Sequence, residues 1–214
     1  MFERRPLRTH IRDEILARLV SGDLAAGDRI NESRLSVELA VSRTPLREAL
    51  ICLVEQGLLL TSPGRGFLVP DLDSGAFRET GEVLAILEPA LVREIVPPSP
   101  DLLMELGNHL SRARLGDGGS PARLAVLLFR FSESLALRCP VRRLADLVVQ
   151  QVEFTLRYLR AARTNGWDPT ASLDDLQVLV DELRRAEPGP AAAAAAEWRR
   201  QLTRRVIEHL PGPD

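Results

Sequence analysis

The chain has 214 residues, 45% of them hydrophobic and 27% charged, a balance that suits one large or two modest folded domains and excludes an intrinsically disordered chain. The formal net charge is −2, and no apolar run approaches the roughly 20 residues that a helical membrane span needs. The opening stretch MFERRPLRTH carries charge with no apolar core behind it, so it does not read as a secretory signal; a cytoplasmic location without a membrane partner is expected.

Leu7, Ile11, Ile15, Leu16, Leu19 and Val20 share one helical stripe and predict a helix over Leu7–Ser21. Gly22-Asp23 and then Ala26-Gly27-Asp28 end it in a turn. Asn31 is a good N-cap for a short helix buried through Leu35, Val37 and Leu39 and ending near Ala40. Ser42 is expected to cap the next helix, with Pro45 in its first turn where a missing N–H is tolerated. Its apolar face is Leu46, Ala49, Leu50, Leu53 and Val54, and Gly57 marks its end. Leu58–Thr61 and Phe67–Val69 read as two short strands joined by Ser62-Pro63-Gly64-Arg65-Gly66, a hairpin.

A short linker near Pro70–Ser74 follows, and no strand pattern appears beyond it. Six helices separated by breakers are predicted: 75–96, carrying Val83, Leu84, Ile86 and Leu87; 101–115; 122–138; 141–162; 173–186; and 191–210. Proline-rich stretches at 97–100 and 188–190 are read as breaks, and the six-alanine run as helix because alanine is the best helix former. The fold class expected is mainly α. Residues 1–70 form a winged helix-turn-helix DNA-binding domain, and residues 75–214 an antiparallel helical bundle.

All 28 residues of the Lys+Arg total are Arg, so a phosphate or base contact from one of these side chains must use the planar guanidinium fork. Residues 1–70 hold 10 Arg against 9 acidic residues, and residues 71–214 hold 18 against 21, so local placement matters more than the total. Arg43 and Arg47 lie one turn apart on the polar face of the helix after Ser42, a spacing that lets each address a guanine O6/N7 edge. Ser42 and Thr44, beside Pro45 at the helix start, are placed for phosphate contacts. Arg34 on the preceding helix and Arg65 with Gly66 in the turn widen the electropositive face. An Arg- and Glu-rich helix face is by itself most often a solvated face; the ordered set of elements around this one argues for DNA.

Residues from about Leu7 to Pro70 resemble the DNA-binding domain of the GntR family. The matching residues include Gly27-Asp28-Arg29-Ile30, Val41-Ser42-Arg43-Thr44-Pro45-Leu46-Arg47-Glu48-Ala49-Leu50, Glu55-Gln56-Gly57-Leu58 and Gly64-Arg65-Gly66. The resemblance implies that Arg43 and Arg47 read bases, that Thr44 holds phosphate, and that Gly66 approaches the minor groove. The family often places an Arg where this chain has Ser33, which would give Arg34 a slightly different path to DNA. The helical remainder resembles the FadR-type C-terminal (FCD) effector domain, most visibly in Leu87-Glu88-Pro89. That implies a homodimer whose bundle senses a small molecule and whose DNA target is a pseudo-palindromic operator.

Many FCD domains hold a divalent metal through one Asp and three His, with an Arg for an acidic effector. The corresponding positions here are Leu84 for the Arg, Leu128 for the Asp, and Ser132, Leu176 and Trp198 for the His residues. His10, His109 and His209 lie elsewhere, and a surface or helix-end role is expected for each. No metal and no cofactor are expected. The apolar replacements leave two readings: a pocket for a hydrophobic effector, anchored by Ser132 or Arg157, or leucines that fill the space of a purely dimerising domain. No nucleophile–base pair, paired-carboxylate spacing or phosphate loop supports an enzyme. The function expected is a DNA-binding transcription regulator, a repressor under the effector reading, with a winged helix that docks a protein partner as the rival.

Overall fold

A computed structural model describes residues 7–62, 64, 66–115 and 120–210. It is mainly α, and its internal contacts divide the chain into Met1–Leu72 and Asp73–Asp214.

The first unit runs α1 (Leu7–Ser21), α2 (Glu32–Glu38), α3 (Arg43–Glu55), β1 (Leu60–Ser62) and β2 (Gly66–Leu68). Ile11, Ile15 and Leu19 of α1, Leu35 of α2, and Leu46, Ala49, Leu50 and Leu53 of α3 are all buried in one small core. Leu7 is exposed and Val37 is 79% exposed, so the short helix buries Leu35 while Val37 faces outward. Seven residues give only two turns, too few to bury alternate positions on both sides.

One chain reversal ends both α2 and α3. After α3, the Gly57 N–H donates to the Val54 carbonyl at 2.9 Å and the Leu58 N–H to the Leu53 carbonyl at 2.9 Å. This is a Schellman termination with Gly57 in the left-handed region (φ 72°) and Leu58 buried behind it. After α2 the same bonds run from Ala40 to Val37 and from Val41 to Ser36, at 3.1 and 3.0 Å, with Ala40 at φ 52°. Leu58 and Leu59 therefore belong to the helix end and the core, and the first strand starts later than expected, at Leu60.

The hairpin is antiparallel, with Leu60 opposite Leu68, Thr61 opposite Phe67 and Ser62 opposite Gly66. The segment read as a turn before α2 adds to it. The Ile30 N–H donates to the Phe67 carbonyl at 2.9 Å, the Gly27 N–H to the Val69 carbonyl at 3.0 Å, and Arg29 bridges Leu68. These bonds fasten the wing to the start of the helix-turn-helix.

Among its described residues the second unit has helices and no strand: α4 (Ser74–Ile95), α5 (Pro100–Arg114), α6 (Pro121–Arg138), α7 (Arg142–Thr164), α8 (Thr170–Arg185) and α9 (Pro188–Ile207). α4 packs along α9 and also on α7; α6 packs on α7, and α5 on α6 and α8. The close α4–α9 approach relies on Gly81, where a Cβ would stand 2.2 Å from Thr203 Oγ1. Ala191, Ala192, Ala195 and Ala196 are buried along α9. α9 starts at Pro188, inside the stretch read as a break, because prolines in a first helical turn need no N–H partner. Ile86 on α4 is 72% exposed, outside the stripe expected to bury it.

Candidate nucleic-acid interface

Ser42 has an extended backbone (φ −72°, ψ 161°) at the N-cap of α3, and its hydroxyl makes no capping bond. Pro45 is the third helical residue and has no N–H, so the first turn presents the Arg43 and Thr44 N–H groups at the positive end of the helix dipole. Ser42, Arg43, Thr44 and Arg47 are exposed and Pro45 is half-buried, while Leu46, Ala49 and Leu50 anchor the opposite face. One sequence thus supplies a buried stripe and a donor-rich one.

Arg43, Thr44 and Arg47 line an open cleft of about 400 Å³ with Glu32, Ser33, Glu48 and Ile51. The two arginines are held from α2. Arg43 Nη2 donates to Ser33 Oγ at 3.1 Å, and Arg47 Nη1 stands 3.6 Å from Glu32 Oε2. The Arg47 guanidinium also lies over the Phe67 ring of β2 at 5.8 Å, so helix and wing share its support.

Arg34 lies apart from this group. Its Nε donates to Glu38 Oε1 at 2.6 Å, and it lines a second cleft with Arg18, Asp28, Arg29 and Glu38. Arg18 Nη1 donates to Glu38 Oε2 at 2.6 Å, and that bond, followed by the Arg34 bond, holds the Glu38 carboxyl below its ordinary range. Gly66 is in the left-handed region (φ 75°) at the start of β2, with open space where a Cβ would stand. Arg65, expected to contact DNA, lies outside the described residues.

In the helical unit, Leu84, Leu128, Ser132, Arg157, Leu176 and Trp198 are all buried. Ser132 and Trp198 meet at a polar centre that periodicity alone does not disclose. Ser132 Oγ donates to Glu88 Oε1 at 3.1 Å; Arg199 donates through Nε to Glu88 Oε2 at 2.9 Å and through Nη2 to Glu88 Oε1. Both charged side chains are 3% exposed, and the guanidinium lies 4.4 Å from the Trp198 ring centroid. Leu84 and Leu128 sit one turn before Glu88 and Ser132 on their helices. Arg157 and Leu176 are buried on α7 and α8.

These side chains do not fit the divalent metal that the FCD resemblance implies: leucines and a tryptophan offer no ligand atoms. Among the described residues no group of three His, Cys, Asp or Glu side chains could hold a metal ion. His10 is exposed, and His209, just past the end of α9, donates through Nδ1 to the Arg205 carbonyl at 3.0 Å. His109 departs from the expected surface role. It is half-buried on α5, with Nε2 3.3 Å from Ser134 Oγ and 3.8 Å from Glu105 Oε1. Burial holds its pKa below the ordinary value, against the opposing pull of Glu105. Among the described residues, no helix is long and apolar enough to cross a membrane.

Comparison with known proteins agrees with the geometry of the first unit. Residues 7–69 match the family model described as bacterial regulatory proteins, gntR family. Over 74 residues the chain is 43% identical to the Nta operon transcriptional regulator of Aminobacter aminovorans, covering 35% of each chain. Over 112 residues it is 30% identical to the transcriptional regulator McbR of Escherichia coli strain K12, covering 50% of this chain and 51% of that one. The chain thus spans between about a third and a half of these curated relatives. The solved structure of E. coli McbR/YncC superposes with a TM-score of 0.83 at 20% identity, over 96% of this chain and 99% of that one. A putative GntR regulator from Rhodococcus sp. RHA1 gives 0.78 at 18% identity, over 95% and 99%. At such identities the structural likeness concerns the fold. The two curated relatives and the Rhodococcus protein carry the names of transcriptional regulators.

Proposed function

We propose that the chain is a sequence-specific transcription regulator of the GntR family, the reading that the match of residues 7–69 to that family's model supports. It acts as a homodimer that sets one recognition helix α3 into the major groove of each half of a pseudo-palindromic operator. The observation that carries this reading is the open cleft in which Arg43, Thr44 and Arg47 converge at the start of α3. Arg43 and Arg47 each address a guanine, Ser42, Thr44 and the free N–H groups beside Pro45 take phosphate, and Gly66 brings the wing to the minor groove. Arg34 and Arg65 add phosphate contacts at the flanks.

The test is equilibrium binding to an operator selected from random duplexes. Arg43→Ala and Arg47→Ala should each lose about 1–3 kcal/mol of discrimination at one base pair per half-site. The parent's log affinity should fall with log salt by about 0.9 per phosphate contact. Salt-independent binding, or arginine variants that discriminate as well as the parent, would sink the reading in favour of a protein-docking winged helix.

The helical unit, in this proposal, is an FCD-type domain that dimerises and takes an amphiphilic effector whose occupancy releases DNA, making the protein a repressor. Support comes from the polar centre of Glu88, Ser132 and Arg199 inside apolar walls, beside Trp198, whose buried Nε1 has no hydrogen-bond partner among the described residues. In this proposal Leu84, Leu128 and Leu176 supply apolar lining and Arg157 a second polar anchor. Native mass spectrometry of protein purified from its own host tests this. A co-purified small molecule displaced by Trp198→Phe supports it, and a ligand-free dimer with full operator affinity favours an effector-independent regulator.

A further inference from the structure

We propose that Ser33 and Glu32, at the start of α2, are positioning residues that set the base specificity of Arg43 and Arg47. The inference rests on the DNA-binding reading above and deepens it.

Ordering an arginine side chain costs conformational entropy. An exposed guanidinium on a flexible stem samples many rotamers, and bidentate recognition of a guanine selects one of them. A contact that already favours that rotamer in the free protein reduces the ordering cost of correct binding. Arg43 Nη2 has such a contact in the Ser33 hydroxyl at 3.1 Å, across ten residues and from a different helix. A guanidinium has five N–H donors, so one bond to Ser33 leaves enough of the fork for two bonds to O6 and N7. The serine is too short to compete for the base itself.

Arg47 is fixed by a different device. Glu32 Oε2 approaches from α2 at 3.6 Å while the Phe67 ring supports the guanidinium from β2. Glu32 is the more enclosed partner, its side chain 23% exposed against 65% for Arg47. A carboxylate in this cleft repels phosphate on every DNA sequence. It therefore lowers affinity generally, while aiming Arg47 where only a base edge satisfies its remaining donors. Both α2 residues raise discrimination, Ser33 by pre-ordering Arg43 and Glu32 by also trading away indiscriminate affinity.

The experiment uses the full chain and a duplex library with a randomised core. The selected sequence and its single-base variants are then titrated with the parent, Ser33→Ala, Ser33→Thr, Arg43→Ala, the Ser33→Ala/Arg43→Ala double variant and Glu32→Gln, after circular dichroism shows native helix content for each. Ser33→Ala should lower discrimination about 3- to 10-fold at the base pair that Arg43→Ala also relaxes, and nowhere else. Its salt slope should stay unchanged, Ser33→Thr should retain discrimination, and Ser33→Ala should change nothing further in the Arg43→Ala background. Glu32→Gln should bind all duplexes more tightly while relaxing the base pair assigned to Arg47. Unchanged discrimination in Ser33→Ala, additive losses in the double variant, or a salt slope reduced by about one unit would overturn the inference while leaving DNA binding intact. A parent that enriches no sequence would instead overturn the DNA-binding reading and, with it, this one.

Discussion

At the scale of single residues, the Arg199–Glu88 pair is the costliest feature of the helical unit to disturb. A charge taken out of water keeps its low energy only through its partners, and both side chains here are 3% exposed. Removing one partner strands the other, so Arg199→Met or Glu88→Leu alone should each cost about 3–5 kcal/mol of stability. The double variant should recover most of that loss, because two apolar side chains of similar volume leave no buried charge. Urea unfolding of the four proteins measures the coupling directly, and additive losses would show that the pair is not energetically linked. The pair was out of reach of sequence reading for a plain reason. Its members are 111 residues apart, and each sits in a helix where a charged residue is normally read as solvated. Leu87-Glu88-Pro89 points to α4 as a place of interest, but nothing in the sequence names Arg199 as its partner. Ser33 and Glu32 escaped for a related reason: each contact joins two helices through a geometry that no periodicity encodes.

At the scale of elements, most helix ends were legible because each break coincides with a turn of fixed chemistry. Asn31 accepts the Arg34 N–H at 3.0 Å as an N-cap should, and Ser99 does the same for Leu102 at 3.2 Å. Gly57 was equally readable, since glycine is the residue that enters the left-handed region without strain. The helix end near Ala40 was legible too, but not its left-handed backbone, because Ala40 makes the same reversal without glycine's freedom. Its φ of 52° is unfavourable for alanine, so Ala40→Gly should stabilise the first unit by about 0.5–1 kcal/mol. Hydrogen exchange of α2 and α3 amides would register the gain as slower exchange, and faster exchange would contradict it. The opposite substitution is harmful on α4. Gly81→Ala improves helix propensity by about 1 kcal/mol, yet its Cβ would stand 2.2 Å from Thr203 Oγ1 and 2.9 Å from Thr203 Cβ. The overlap forces α4 from α9, and a net loss of about 1–3 kcal/mol is expected, largely restored by Thr203→Ala. A thermal melt of the three variants decides it; a Gly81→Ala protein as stable as the parent would mean that α9 yields freely.

At the scale of the whole molecule, the aromatic residues make the two units separately observable. Trp167, Trp198 and Tyr158 all belong to the helical unit, and the chain has only two Trp and one Tyr, so intrinsic fluorescence follows that unit alone. This bears on how the helical unit responds to acid. His109 is held neutral by burial, with Arg112 and Arg130 adding to the effect and Glu105 opposing it. The unfolded chain, with an ordinary histidine value near about 6.5, accepts a proton that the folded unit resists. The unfolded state therefore binds more protons as pH drops below about 6.5, and stability falls until the folded value is passed. Glu105 acts lower on the scale in the same direction. The Ser134 hydroxyl, donating at 2.7 Å, is the main cause of its depressed pKa, and Arg138 adds to it. Its stabilisation is complete above the ordinary carboxyl range and is lost as pH falls through the folded value. The tryptophan-detected Tm should thus decline from pH 7.5 to pH 5.5 and decline further toward pH 4. His109→Gln should flatten the upper step and keep the lower one, because glutamine places a neutral hydrogen-bonding group in the same cavity. His10 lies in the other unit, where it is invisible to this signal; His209 shares the helical unit, so the His109→Gln comparison is what assigns the upper step to the α5–α6 cluster. A parent Tm that stays level or rises between pH 7.5 and pH 5.5 would show that protonated His109 is accommodated by Glu105, the attraction between them outweighing the cost of burial.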